Sequence, residues 1–142
     1  MSNRWLRFVL ASSAVFLSSN ALAQWVKYSE TPENVNYYQP SKVQMQNGWL
    51  YISALKNYQS NQSITDKQGV KQNYLSVAMT VIVKCAKSSY AISDLAYHSQ
   101  ADGRGQLVYW VTEKPDSLPW KESSPTSDMA PLIQATKKLC IN

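Results

Sequence analysis

From Leu75 to Cys85 the chain reads Leu-Ser-Val-Ala-Met-Thr-Val-Ile-Val-Lys-Cys, with apolar residues at the odd positions and mostly small or polar ones between them. A period of two describes a β-strand with one face on a core, because successive side chains leave opposite faces. Cys85 continues the odd series, so its sulfur is expected on the same covered side as Val81 and Val83. The run thus says where a core lies and sets one of only two sulfurs in the chain beside it.

The bond that sulfur makes depends on the compartment, and the start of the chain speaks to that. Arg4 and Arg7 precede an uncharged stretch from Phe8 to Leu17, followed by Ala21-Leu22-Ala23. Basic, apolar and small-residue segments in that order read as a secretory signal peptide, residues 1–23, with Gln24 as the new N-terminus. A membrane anchor is the competing reading, but an apolar run of about ten residues falls short of the roughly twenty needed to span a hydrocarbon core. A lipid anchor would need a cysteine just after the cleavage site, and the nearest is Cys85. An exported chain meets oxidising conditions, so Cys85 and Cys140 are expected to form a disulfide. A catalytic thiol at Cys85 with His98 as its base is disfavoured by export and by the lack of an evident partner to orient the histidine.

The 142 residues less the 23 of the leader leave 119, residues 24–142, enough for one domain with one core. That part carries twelve Lys and Arg against nine Asp and Glu, a net +3, which lacks the clustered positive charge of a nucleic-acid binder. Besides the alternating run, strands are expected at 25–28, 35–38, 49–55, 90–98 and 106–112, all rich in β-branched or aromatic residues. Turns are expected at Gln39-Pro40-Ser41, at Asn47-Gly48, at Asp102-Gly103-Arg104-Gly105 and across the polar run from Ser60 to Gly69, where Asn61-Gln62-Ser63 reads as loop. Such short connections favour antiparallel neighbours and hence a meander of about five to six strands.

Near the C-terminus the period becomes helical. Met129, Leu132, Ile133, Thr136 and either Leu139 or Cys140 share one face, while Gln134, Lys137 and Lys138 turn outward. Asp128 is the expected N-cap, which sets Pro131 at the third helical position, where a missing N–H costs no intrahelical bond. With Cys140 at its end and Cys85 on the covered face, the helix is expected to be fastened across the sheet. The fold class is α+β, an antiparallel meander with a C-terminal helix packed on one face and tied by the disulfide.

Several fragments, in order, bring a family into view. They are Trp25-Val26, the run Tyr37-Tyr38-Gln39-Pro40-Ser41-Lys42-Val43, Lys56-Asn57-Tyr58, and Tyr74-Leu75-Ser76 nine residues before Cys85. Tyr90, Tyr97 through Ser99, Gly103-Arg104-Gly105, Trp120 with Ser123-Ser124-Pro125, and Leu139-Cys140 complete the series. In that order and spacing the chain resembles the surface-adhesin protein E family of small exported bacterial proteins. The resemblance implies an antiparallel sheet with a disulfide-held C-terminal helix, and attachment to host extracellular-matrix and serum proteins. Ser53 stands where many relatives have a tryptophan, and without a lipid-attachment cysteine a periplasmic or secreted place is open beside the cell surface.

Other chemistry is not evident. One histidine and two bonded cysteines leave only scattered carboxylates for a metal, so no metal site and no cofactor are expected. Asp94, Asp102, Glu113 and Asp116 read as solvated turn or edge groups, and His98 as a hydrogen-bonded or exposed side chain rather than an iron ligand. No P-loop, G-x-G-x-x-G or G-x-S-x-G is present, so no catalytic residue is assigned. The disulfide does bring Lys84 and Lys87 toward Lys137 and Lys138, a candidate basic patch for acidic polymers such as sulfated glycans or for an acidic protein face. The nine tyrosines and five tryptophans suit an interface but are also ordinary sheet residues. The reading is an exported, non-enzymatic binding protein whose partner is a host protein or acidic glycan, with a periplasmic envelope-maintenance protein as the alternative. An open sheet edge would also allow two copies to pair.

Overall fold

In the computed structural model, residues 24–140 are described; the expected signal peptide, residues 1–23, lies outside them. Eight strands follow one another: β1 (Val26–Glu30), β2 (Asn34–Tyr38), β3 (Gln44–Gln46), β4 (Trp49–Thr65), β5 (Lys71–Lys84), β6 (Ser89–His98), β7 (Leu107–Thr112) and β8 (Lys121–Glu122). They form one antiparallel sheet in the order β1-β2-β4-β5-β6-β7, with β3 added beside β4 and β8 beside β6. The meander is as expected, but its eight strands exceed the expected five to six. The two extra strands, of three and two residues, are too short to show a period of their own.

β3 exists because of its turn. Asn47 and Gly48 take φ values of 52° and 77°, the positive pair that a two-residue hairpin turn needs and that Asn-Gly supplies at low steric cost. Gln46 therefore pairs with Trp49, and Gln44 with Tyr51. At the other end of β4 the expectation of a long polar turn fails. The strand runs on to Thr65, and a register shift between Asn57 and Gln62 lets Gln62 to Thr65 pair with Tyr74 to Lys71. Backbone pairing does not need an apolar side chain, so a polar hairpin arm forms where composition suggested a loop. Its true turn is held by Asp66, whose carboxylate accepts the N–H groups of Gln68 at 2.9 Å and Val70 at 2.8 Å and the amide of Gln72 at 3.1 Å. The Gln72 hydrogen bond, reinforced by Val70, holds this acid below the usual carboxylate range.

The core follows the alternation. Val77, Met79, Val81 and Val83 of β5 meet Leu50, Ile52 and Ala54 of β4 on one face, and Met129 and Leu132 close it from above. Leu132 belongs to helix α1 (Ala130–Thr136), Met129 is its N-cap, and the helix continues as a 3-10 turn over Lys137–Cys140. Leu132 and Thr136 are fully buried, and the Thr136 hydroxyl donates to the Leu132 carbonyl at 2.9 Å. Leu139 is exposed, so Cys140 carries the last inward position. Cys140 is bonded to Cys85 with their Cα atoms 5.5 Å apart.

The helix begins one residue later than expected. Met129, not Asp128, occupies the cap, with Pro131 in the first turn. Ser127 does the work assigned to Asp128: its hydroxyl accepts the Met129 N–H at 3.2 Å and its carbonyl the Ala130 N–H at 3.0 Å. The opposite face of the sheet is not bare either. Ile82, Ala91 and Leu118 form a second, smaller cluster with Trp49, Tyr51 and Trp120, supplied in part by the connection between β7 and β8.

Candidate functional site

The four lysines expected to form one patch are placed on more than one side of the sheet. Lys84, an even residue of β5, sends its ammonium to the face opposite the helix, 4.1 Å from the ring centre of Trp120 and 5.9 Å from that of Trp49. The two indoles meet edge to face at 5.0 Å. A lysine over indole faces is a cation–π contact, so this charge is already engaged. Lys87 and Lys137 instead border a common cavity of about 210 Å³ beside the Cys85–Cys140 bond, with Ser88 and Thr136 also on its wall. Lys84 borders that cavity as well, although its charge lies at the indoles. Lys138 is exposed on the 3-10 turn.

A second cavity, of about 280 Å³, opens on the helix face between the start of α1 and strands β6 and β7. Its apolar walls come from Ile92, Leu95, Val111, Pro119 and Met129. Its charged groups are Lys56, Lys121, Glu113 and Asp128, each from a different segment, and none makes a salt bridge among the described residues. A bulge in β6 creates the floor. Thr80 pairs with Asp94 but Val81 with Ile92, leaving Ser93 as an extra residue. The extra residue changes the phase, so that Tyr90 and Ile92 before it and Leu95 and Tyr97 after it all pack on the helix side. The Ser93 carbonyl then accepts the Glu113 N–H at 2.7 Å, fixing where the chain leaves β7. Sequence reasoning missed this cleft. The signal was there in the apolar positions of β6, which shift from even (Tyr90, Ile92) to odd (Leu95, Tyr97).

Tyrosines continue across the same face. Tyr58, Tyr74, Tyr97 and Tyr109, from four successive strands of the sheet, meet edge to face at 5.6, 4.9 and 5.7 Å between ring centres. Burial raises the Tyr58 phenol to about 12 and raises that of Tyr97 as well. Tyr28, which packs edge to face on Tyr38 at 6.1 Å, is raised to about 12 by burial and then by the charge of Asp128. At the row's end Lys67, in the turn after β4, lies 4.7 Å from the ring centre of the exposed Trp110.

Of the four carboxylates singled out in the sequence, Asp94 and Glu113 border one small cavity of about 190 Å³. Asp94 accepts the Ser93 hydroxyl at 2.8 Å, Glu113 also borders the cleft, Asp102 bonds to Asn57 and Arg104, and Asp116 lies in a 3-10 turn. His98 is partly buried, with its Nδ1 enclosed and no hydrogen-bond partner among the described residues, which differs from the hydrogen-bonded or exposed side chain expected. Among the described residues no group of three His, Cys, Asp or Glu is placed to hold a metal.

An antiparallel sheet with one covalently fastened C-terminal helix, and charged and aromatic surface beside it, defines a small disulfide-tied α+β domain. The chain belongs to the surface-adhesin protein E family, whose sequence model matches residues 25–140. The fold is that of Haemophilus influenzae protein E: one structure of that protein covers 83% of this chain and 89% of its own, at 13% identity and a TM-score of 0.55. A second crystal form gives 80% and 89% coverage, 14% identity and 0.55. Protein E from non-typeable Haemophilus influenzae gives 86% and 78%, 13% and 0.52. No curated protein sequence matches the chain. Family membership makes this an adhesin-like, non-enzymatic protein of the exported or surface class. Among the described residues no helix is long and apolar enough to cross a membrane.

Proposed function

We propose that this chain, with residues 1–23 as its leader and residues 24–142 as one domain, is an adhesin that contacts a host extracellular-matrix or serum protein, or an acidic glycan. The observation that carries the reading is the concavity beside the disulfide. Lys87 and Lys137, fifty residues apart in sequence, border the same cavity because Cys85 and Cys140 are bonded. With Lys138 exposed on the adjoining turn, positive charge faces outward there with no anionic partner among the described residues. Such a surface favours acidic polymers and speeds their encounter. Nothing in this role requires a cofactor or nucleic acid.

The test is a pull-down with the oxidised domain against purified matrix and serum proteins and heparin, paired with protease treatment of intact cells. Saturable, salt-sensitive capture together with protease accessibility supports adhesion. Complete protection from protease, with no capture, supports an envelope-maintenance role instead.

A further inference from the structure

We propose that the cleft between α1, β6 and β7 is a peptide-recognition site, taking one large apolar side chain from an extended polypeptide segment whose neighbouring residues carry one acidic and one basic group. The inference rests on the reading of this chain as a binding protein and names the chemistry of one of its contacts.

Three observations define the occupant. The walls Ile92, Leu95, Val111, Pro119 and Met129 are apolar, so their exposed surface is stabilised by covering it with another apolar group. The volume of about 280 Å³ sits at the lower edge of the roughly 300–1,000 Å³ of sites that enclose a whole small ligand. It suits a single anchor side chain of a larger partner, the arrangement in which a buried apolar residue carries most of the contact energy. The rim carries charges of both signs, Lys56 and Lys121 with Glu113 and Asp128, none of them in a salt bridge among the described residues.

A mixed rim discriminates. A sulfated or uronate glycan would meet Glu113 and Asp128 as repulsive groups, and the one aromatic ring on the wall, Tyr90, is packed against the core among aliphatic and thioether carbon. A polypeptide with Glu and Lys on either side of a leucine-sized residue satisfies both signs at once. The four charges also come from four separate segments, so the fold sets their spacing and the partner need only present an extended chain.

The experiment is a titration of the isotope-labelled, oxidised domain, followed by amide and methyl NMR. The probes are the capped pentapeptide Glu-Thr-Leu-Thr-Lys, the same peptide with a central alanine, and a heparin-derived hexasaccharide, each added to about 10 mM, a range that captures the weak affinity of one anchor. The expected result is saturable shifts at Ile92, Leu95, Val111 and Glu113 with the leucine peptide, weakened at least about tenfold by the central alanine. Glu113→Gln and Lys121→Gln, both at the rim, each weaken binding by about threefold and reduce its salt dependence. The proposal is overturned by absence of shifts, by equal binding of the two peptides, by shifts centred on Lys87 and Lys137, or by the hexasaccharide occupying the cleft instead. It is also overturned if the cleft signals broaden with protein concentration alone, which would make a second copy the occupant. Capture of matrix protein that survives both rim substitutions, with no peptide shift, removes this site and leaves adhesion standing. Peptide binding without such capture does the reverse.

Discussion

Asn57 and Asp102, forty-five residues apart, hold each other through two hydrogen bonds: the Asn57 amide donates to the Asp102 carboxylate at 2.7 Å, and the Asp102 N–H donates to the Asn57 side-chain oxygen at 2.9 Å. Ser76 completes the tie, donating its hydroxyl to the Gln100 carbonyl at 2.5 Å and accepting the Gly103 N–H at 3.0 Å. Three fragments that carried the family resemblance, around Asn57, Ser76 and Gly103, are thereby one structural unit that seats the β6–β7 loop on the sheet. Asp102 pays for its place with a φ of 62°, which a short polar side chain tolerates better than most. Gly105, at φ 78°, must lack a side chain, since a Cβ there would run into the Ser99 hydroxyl and the Gln100 side chain.

Ser76→Ala is therefore expected to cost about 1–3 kcal/mol, the loss of two part-buried hydrogen bonds worth about 0.5–1.5 kcal/mol each. Urea unfolding reads the loss, and amide exchange at Gly103 shows where it falls. An unchanged midpoint with unchanged Gly103 protection would mean that the loop holds itself.

Replacing both Cys85 and Cys140 by serine is expected to lower stability by about 4 kcal/mol, the chain-entropy value for a closed loop of this length, the two cysteines being 55 residues apart. Unfolding of the oxidised protein with and without reductant gives the same comparison. Lys87 and Lys137 should then lose their shared cavity first, because the bond joins the turn that carries Lys137 to the strand end that precedes Lys87.

Alkali is expected to unfold the domain in a defined window. The phenols of Tyr28 and Tyr58 ionise at about 12 in the fold against 10.0 when free. A pKa raised by folding means that the folded state favours the protonated form. Its stabilisation is complete below pH 10 and is lost as the pH climbs through about 12. Denaturation midpoints should be flat up to about pH 9 and fall above it, in step with near-ultraviolet phenolate absorbance. Tyr58→Phe should shallow that fall.

The lysines should separate by function. Lys84→Gln is expected to cost about 0.5–1 kcal/mol and to alter tryptophan fluorescence through Trp49 and Trp120, while changing heparin retention by less than about twofold. Lys87→Gln combined with Lys137→Gln should reduce retention markedly at low salt and leave the urea midpoint unchanged. Equal effects of the two variants on retention would show that the indole-bound lysine takes part in the patch.

Much of the architecture was legible in the residues. The alternation of Val77, Met79, Val81 and Val83 marked the core face, Asn47-Gly48 marked a tight turn, and Met129, Leu132 and Thr136 marked the buried side of the helix. What misled was composition standing in for backbone pairing: the polar residues 60–65 form strand, and Gln44–Gln46 pairs although every one of its side chains is exposed. The helix cap passed from Asp128 to Met129, with Ser127 accepting the Met129 and Ala130 N–H groups, because the cap depends on where the preceding turn delivers the chain.

By itself the sequence determined what is written in neighbouring residues, namely strand and helix periods, turn types and the single pairing open to two cysteines. Only the tertiary structure decided that Lys84 would lie on Trp120 while Lys87 and Lys137 border one cavity, and that one extra residue at Ser93 would open a cleft among Lys56, Ile92, Glu113, Lys121 and Asp128. The physical reason is range. Periodicity and turn chemistry act over a few residues, whereas the register between distant strands selects which face each side chain takes and which charges become neighbours.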